Sequence, residues 1–412
     1  MQFFTKYKKI FLVFLFLLMV FIFGYLLYYL FFRSTPTEQS AITNNASSTG
    51  QGGLPQASTG PGGQVIPDQQ NNLGNIQQSQ GNNQISQVAN GGLTKTDNIV
   101  NTPSLGATIS SSGNGVQYYN KDDGKFYRLD DNGTPVTLSD KVFHEVSNIT
   151  WSPTKNNAVL EFPDGAKIIY NFTSNKQITL PSHWKEFSFS PDGSQLVMKS
   201  MGQDPDNRWL ATVNTDGTQV KGIEPLGDKD STVYPIWSPN NQIISVFTEG
   251  EDFDNQNVYF VGLNNENFKS TVAPGRGFDP KWSPTGDKLL YSVYSTSNDM
   301  KPGLWVVDAQ GDNIGNNRVS LNLNTWADKC SFTDNKNLYC AVPDNLDSGS
   351  GLFPELANHT SDSLYQVDIT TGNKKRIAIP DGNYTISNIE VANNNLYFTD
   401  KNSGKLYKIK LK

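Results

Sequence analysis

Few side chains in this 412-residue sequence have the types and spacing that chemistry requires. The three histidines, His144, His183 and His359, are far apart, and a single loop histidine is most often simply solvated. The sequence lacks the Gly-x-Ser-x-Gly elbow of serine hydrolases, the His-Glu-x-x-His zinc motif and a glycine-rich phosphate loop. We therefore predict no catalytic residue, no cofactor and no enzyme activity.

One acidic segment could hold a metal ion. Glu249, Glu251, Asp252 and Asp254 follow a short apolar run, and oxygen-rich loops of this kind can bind calcium. Their spacing does not match that of an EF-hand, however. A solvated acidic turn is therefore the preferred interpretation, and a calcium site is the alternative.

The two cysteines suggest a structural crosslink. Cys330 and Cys340 flank a short turn over residues 334–337, which would place them on adjacent antiparallel strands. In an oxidising compartment such a pair can form a disulfide, and their spacing differs from that of a redox Cys-x-x-Cys pair. We predict a disulfide, with two buried thiols as the alternative.

A long irregular segment over residues 344–362 is the best candidate for a partner-binding loop. It contains the apolar residues Leu352, Phe353 and Pro354. Long loops on a rigid scaffold often carry binding functions. An apolar tip in solvent requires either a partner or a contact with its own chain, and the sequence leaves both possibilities open.

A recurring phrase predicts the elements that would support these residues. It begins at Trp151, Phe189, Trp237 and Trp282, and each copy continues with Ser-Pro. The copies lie roughly 40 to 50 residues apart, and each is followed by short β-rich runs. This pattern predicts an all-β propeller of four-stranded blades, with seven blades favoured and six as the alternative. Residues 98–101 are expected to complete the last blade by pairing with residues 405–411.

These units resemble the TolB-type, WD-like propeller repeat, whose consensus is Pro-x-Trp-Ser-Pro-Asp-Gly. The segments Pro235–Pro239 and Pro280–Gly286 match it closely, as does Phe189–Gly193. The resemblance implies a propeller over most of residues 105–412, with the aromatic residues of the phrase packing between blades. It does not imply an activity, because the family includes scaffolds, envelope proteins and the propeller parts of peptidases.

Composition divides the chain into three regions. Residues 10–32 carry no charge and follow Lys6, Lys8 and Lys9, which predicts a single-pass membrane anchor over residues 1–33 with a cytoplasmic N-terminus. A cleaved signal peptide is the alternative. Residues 34–95 are rich in Gly, Asn, Gln and Ser and are expected to form a disordered linker, and residues 96–412 to form the propeller.

The functional prediction follows from these features. The net charge of −6 and the absence of a basic cluster argue against a nucleic-acid partner. We predict a membrane-tethered, extracytoplasmic scaffold, in the periplasm or on the cell surface, that binds a protein or a surface polymer. The alternative is a calcium-dependent propeller hydrolase or lactonase that acts in the central channel.

Overall fold

The computed structural model describes residues 16–26, 84–113, 115–130 and 132–412. The chain divides into two compact units after Gln78. In the first unit, residues 16–26 are helical. Among the described residues no helix is long and apolar enough to cross a membrane. This finding overturns the predicted single-pass membrane localisation. The structure does not describe the remainder of the predicted anchor or residues 34–83 of the predicted linker.

The second unit consists of β-strands joined by turns and short 310 helices. The strands in chain order are β1 (Leu93–Thr94), β2 (Asp97–Val100), β3 (Ser104–Ile109), β4 (Val116–Asn120), β5 (Lys125–Leu129), β6 (Pro135–Thr137), β7 (Asn148–Trp151), β8 (Asn157–Glu161), β9 (Lys167–Asn171), β10 (Lys176–Leu180), β11 (Trp184–Phe189), β12 (Gln195–Met201), β13 (Arg208–Asn214), β14 (Lys221–Pro225), β15 (Val233–Pro235), β16 (Ser245–Gly250), β17 (Gln256–Val261), β18 (Thr271–Ala273), β19 (Arg276–Trp282), β20 (Lys288–Tyr294), β21 (Pro302–Asp308), β22 (Val319–Ser320), β23 (Cys330–Phe332), β24 (Asn337–Pro343), β25 (Asp362–Asp368), β26 (Lys374–Pro380), β27 (Ile386–Ala392), β28 (Asn395–Asp400) and β29 (Leu406–Lys410). The 310 helices are Pro205–Asn207, Asp230–Thr232, Thr296–Asn298, Gly311–Asn313, Ala327–Lys329 and Pro354–Ala357.

The strands form seven sheets, which are the blades of the propeller. Blades 1 to 6 take four consecutive strands each, from β3–β6 in blade 1 to β23–β26 in blade 6. Blade 7 takes β27, β28 and β29 and is completed by β2. The predicted seven-bladed propeller is confirmed, and the six-bladed alternative is wrong.

The ring closes through the N-terminal strands. β2 pairs with β29 in antiparallel register, with Asn98 opposite Tyr407, as the sequence predicts. β1 then adds a fifth strand to blade 6 by pairing in parallel with β26. These two strands cover the outer edges of β29 and β26, which would otherwise be free to pair with other chains.

Residues 84–95 are ordered, which corrects the last part of the predicted linker. Ala89 is 5% exposed, and its backbone N–H donates to the Lys410 carbonyl at 2.9 Å. The exposed edge of β26 offers unpaired backbone groups to this segment, so it needs few apolar side chains of its own to become ordered.

The recurring serine explains why the phrase marks each blade. Ser152, Ser190, Ser238 and Ser283 are all buried. Each hydroxyl accepts a hydrogen bond from the backbone N–H five residues later, at 2.9–3.2 Å. The serine thereby closes the turn between the first and second strands of its blade.

Aromatic residues of the phrase pack between blades. The indole N–H of Trp151 donates to the Gly106 carbonyl of blade 1 at 2.7 Å, and that of Trp282 donates to the Ile236 carbonyl at 3.1 Å. Phe189 and Trp237 are buried in the cores beside their own blades. The apolar cores therefore lie between neighbouring blades, while the inner strands surround a central channel.

Candidate functional site

A cleft of about 380 Å³ lies at one mouth of the central channel. Its walls come from the inner strands β19 and β27 and from the connections around blades 5, 6 and 7. We call this side of the ring the top face. It carries the connections from one blade to the next and, within each blade, the connection between the second and third strands. The polar wall includes Asp279 and Asp328, and Trp326 supplies an indole ring.

Asp279 is the most perturbed carboxyl group of the cleft. Burial, with a further contribution from the nearby charge of Asp328, raises its pKa from 3.8 to about 6. One oxygen accepts a hydrogen bond from the Ser292 hydroxyl at 3.3 Å. Among the described residues neither aspartate forms an ion pair. The pair therefore carries negative charge into a partly desolvated cleft, where the Lys281 charge acts on Asp279 and the Lys401 side chain also lines the wall.

A buried ion pair holds the floor of the cleft. The Lys329 ammonium lies 2.7 and 2.8 Å from the two carboxylate oxygens of Asp362, which is 2% exposed. Asp362 also accepts from the backbone N–H of Ile386 at 2.6 Å, which connects blade 6 to blade 7. Burial raises the pKa of Asp362, and the Lys329 charge opposes that rise. Because the Asp362 carboxylate neutralises the Lys329 ammonium, Lys329 does not offset the negative charge of Asp279 and Asp328.

The predicted binding loop forms the rim of the cleft. Leu352, Phe353 and Leu356 are 44%, 52% and 44% exposed, and we call these three residues the apolar rim. Pro354 begins the adjoining 310 helix and lines the cleft. The rim thus lies next to the acidic and aromatic groups of the channel mouth.

The body of this loop packs on blade 5. The backbone N–H groups of Gly349 and Gly351 donate to the carbonyls of Asp299 and Met300 at 2.9 and 2.8 Å. A Cβ at Gly351 would lie 2.5 Å from the Tyr294 side chain, so only glycine permits this approach. Of the two possibilities left open by the sequence, the structure shows the contact with its own chain, made by the body of the loop, while the apolar tip is exposed.

The acidic segment of blade 4 directs its carboxylates to separate partners. Glu249 pairs with the Lys229 ammonium at 2.6 Å, Asp252 accepts from the Asn255 side chain at 2.9 Å, and Asp254 accepts from the Thr296 backbone N–H at 2.8 Å. The hydrogen bond from the Asn255 side chain, with a further one from the Asp254 backbone N–H, lowers the pKa of Asp252. Glu251, the remaining candidate ligand, is exposed. No cluster of three or more potential metal-binding side chains occurs among the described residues.

The remaining sequence candidates lie away from the cleft or are part of the scaffold. His144 and His183 are exposed in connections between early blades, and His359 is exposed in the blade 6 loop. Cys330 and Cys340 are directly opposite each other on β23 and β24, and their sulfurs are joined in a disulfide. Both cysteines are fully buried, so the crosslink is part of the core of blade 6.

The sequence analysis missed the polar residues of the cleft. Asp328 and Trp326 lie in a connection that carries no recurring motif, and Asp279 precedes a copy of the Pro-x-Trp phrase without standing out from it. The one available signal was positional. Residues just before the phrase lie on the inner strand of a blade, where a charged residue faces the channel side of the ring.

Comparisons with known proteins support the fold. No protein-family model and no curated protein sequence matches the chain. An oligogalacturonate lyase in complex with manganese superimposes with a TM-score of 0.53 at 14% identity, over 77% of this chain and 93% of that chain. The Cps50 (Swd1) β-propeller domain from Myceliophteria thermophila superimposes with a TM-score of 0.52 at 12% identity, over 77% and 100%. At these identities the similarity shows the propeller fold alone. The fold occurs both in the oligogalacturonate lyase and in the Cps50 (Swd1) domain, so it does not indicate an activity.

Proposed function

We propose that this protein is a non-enzymatic propeller that binds a partner protein on its top face. The observation that carries the proposal is the apolar rim, which is held on a hydrogen-bonded loop beside the channel mouth. Exposed apolar side chains on a rigid support are typical of protein-binding surfaces, because binding does not have to order the loop first.

The cleft suggests the chemistry of that partner. Asp279 and Asp328 repel each other, and a cation between them would relieve this repulsion. The Trp326 ring beside them offers a face for a guanidinium or ammonium group. We therefore propose a partner segment that places an arginine or lysine in the cleft and apolar residues on the rim.

The catalytic alternative has less support from the described residues. A calcium-dependent hydrolase or lactonase acting in the central channel would need several oxygen ligands converging on one point, and no group of three or more acidic, histidine or cysteine side chains that could hold a metal ion occurs among the described residues. A surface polymer as the ligand and membership of the TolB-type repeat family remain hypotheses from the sequence.

Peptide display on the immobilised full-length chain would test the proposal. We expect the enriched peptides to combine a basic residue with apolar residues. Replacing Leu352 and Phe353 together by serine should weaken binding of a selected peptide by at least about tenfold, because central apolar contacts dominate such interfaces. The matched control is Val220→Ser, since Val220 is also exposed but lies between the third and fourth strands of blade 3, on the opposite face of the ring.

Each outcome of this experiment has a defined meaning. Equal binding to the native protein and to the double variant would contradict a role for the apolar rim. Enrichment of peptides without basic residues, or no loss of binding on Asp328→Asn, would contradict the proposed role of the cleft. Binding of a neutral polysaccharide instead of peptides would favour the polymer hypothesis.

A further inference from the structure

A second pocket on the top face lies between blades 4 and 5. Its volume of about 360 Å³ is within the usual range for small-ligand pockets. Residues of β20, β21 and β22 line it together with Pro274, which follows β18 of blade 4. None of the lining residues carries a charged side chain, and none of them lines the acidic cleft. A ligand in this pocket would therefore be recognised by hydrogen bonds and apolar contact.

Trp305 supplies an aromatic wall of this pocket. It lies on β21, packs against the apolar core between blades 4 and 5, and also lines the pocket. Its indole N–H donates to no acceptor among the described residues, whereas those of Trp151, Trp237 and Trp282 each have one. Indole N–H groups usually find a partner when they are buried. Trp305 therefore offers the pocket an unused hydrogen-bond donor.

Asn298 supplies an acceptor on the same side of the pocket. Its side-chain Nδ2 donates to the Lys301 carbonyl and to the Asn324 side-chain carbonyl, both at 3.2 Å. These two bonds fix the orientation of the amide, while its Oδ1 accepts no hydrogen bond from the described residues. A hydroxyl group both donates and accepts. The amide oxygen and the indole N–H can therefore bind hydroxyl groups of one ligand.

Gly303 keeps the space between these two groups open. A Cβ at this position would lie 3.5 Å from Nδ2 of Asn298 and 3.7 Å from Nε1 of Trp305, so both side chains flank the same point on β21. The backbone of Gly303 is not in the left-handed region, and the strand does not require a glycine here. A side chain larger than a methyl group would fill the place where a ligand meets the two polar groups.

Neighbouring blades hold the segment between β20 and β21 in place. The Thr296 backbone N–H donates to the Asp254 carboxylate of blade 4 at 2.8 Å, and the Gly349 N–H of the blade 6 loop donates to the Asp299 carbonyl at 2.9 Å. Asp299 and Met300 have φ values of 52° and 54°, which are unfavourable for two successive non-glycine residues. The contacts with blades 4 and 6 maintain this conformation, so a ligand does not have to order the segment.

We propose that this pocket binds a neutral saccharide. A sugar ring presents C–H groups on its faces, which suit an indole ring, and hydroxyl groups at its edge, which suit amide and hydroxyl side chains. Ser297 and Asn322 add further groups of these two kinds to the lining. A charged ligand would be desolvated here without an opposite charge, which is unfavourable. The site does not depend on the partner-binding proposal for the acidic cleft and the apolar rim.

Isothermal titration calorimetry of the full-length chain with three neutral trisaccharides would test the proposal: cellotriose, maltotriose and triacetylchitotriose. We expect at least one of them to bind. Trp305→Phe keeps an apolar side chain against the core but loses the N–H donor and part of the ring, and should weaken binding by about tenfold. The matched control is Trp209→Phe, since Trp209 is exposed on β13 of blade 3 and does not line the pocket.

Gly303→Val separates binding from folding. Valine suits a β-strand, and its Cβ would meet its neighbours at ordinary contact distances, so we expect a melting temperature close to that of the native protein. Its side chain should abolish saccharide binding, whereas Asp328→Asn in the acidic cleft should leave it unchanged. No binding of any of the three trisaccharides by the native protein would overturn the proposal. Undiminished binding by Gly303→Val or by Trp305→Phe, or a loss of binding in Asp328→Asn, would also overturn it.

Discussion

Replacing Asp279 by asparagine should change how the stability of the propeller depends on pH. The pKa of this carboxyl group is about 6 in the folded protein, against an ordinary value of 3.8. The folded state therefore holds the proton more tightly than the unfolded state does. The stabilisation is complete below about pH 4 and is lost as the pH rises through 6.

The size of the effect follows from the shift. A difference of about 2 pKa units corresponds to about 3 kcal/mol of unfolding free energy, since each unit is worth about 1.4 kcal/mol. Asparagine is uncharged at every pH and can still accept the hydrogen bond from Ser292. The free energy of unfolding of Asp279→Asn, relative to the native protein, should therefore rise by about 3 kcal/mol between pH 2 and pH 7, and about 2.4 kcal/mol of this rise falls above pH 4.

Urea unfolding of both proteins at intervals of half a pH unit would measure this difference. Asp140→Asn is the control, because Asp140 is exposed and its replacement should leave the pH dependence unchanged. Asp328→Asn removes the neighbouring charge and should move the transition to lower pH. A constant difference between Asp279→Asn and the native protein across this range would refute the reasoning.

Three further perturbations test the scaffold. Replacing both Cys330 and Cys340 by serine should lower the free energy of unfolding by at most about 3 kcal/mol, because the crosslinked loop is short. In the native protein, intact-mass analysis without reductant should find no free thiol. Deleting the first 103 residues removes β1 and β2 and should cause aggregation measurable by light scattering, whereas deleting the first 83 should not; equal solubility of the two would show that the ring closes without these strands. Lys329→Met leaves Asp362 buried without its partner and should cost about 3–5 kcal/mol in chemical denaturation, and adding Asp362→Leu should recover part of this loss; a cost below about 1 kcal/mol would contradict the importance of the pair.

The sequence by itself determined the architecture, because propeller blades are local units. Each Ser-Pro phrase closes its own turn through one serine hydroxyl, and the four consecutive strands of each of blades 1 to 6 pair with one another in sequence order. Even the long-range pairing of β2 with β29 could be inferred, since a ring with one strand missing must be completed by the other terminus. The directly opposed cysteines of blade 6 follow from the same short-range logic.

The sequence was less informative where a segment depends on its surroundings. Residues 84–95 have the composition of a linker, yet the open edge of blade 6 orders them. The apolar run near the N-terminus predicted a membrane anchor, whereas no helix among the described residues is long and apolar enough to cross a membrane.

The candidate sites were decided by the tertiary structure alone. Asp279 and Asp328 are separated by 49 positions, and neither belongs to a motif; they become neighbours because adjacent blades bring their inner ends to one mouth of the channel.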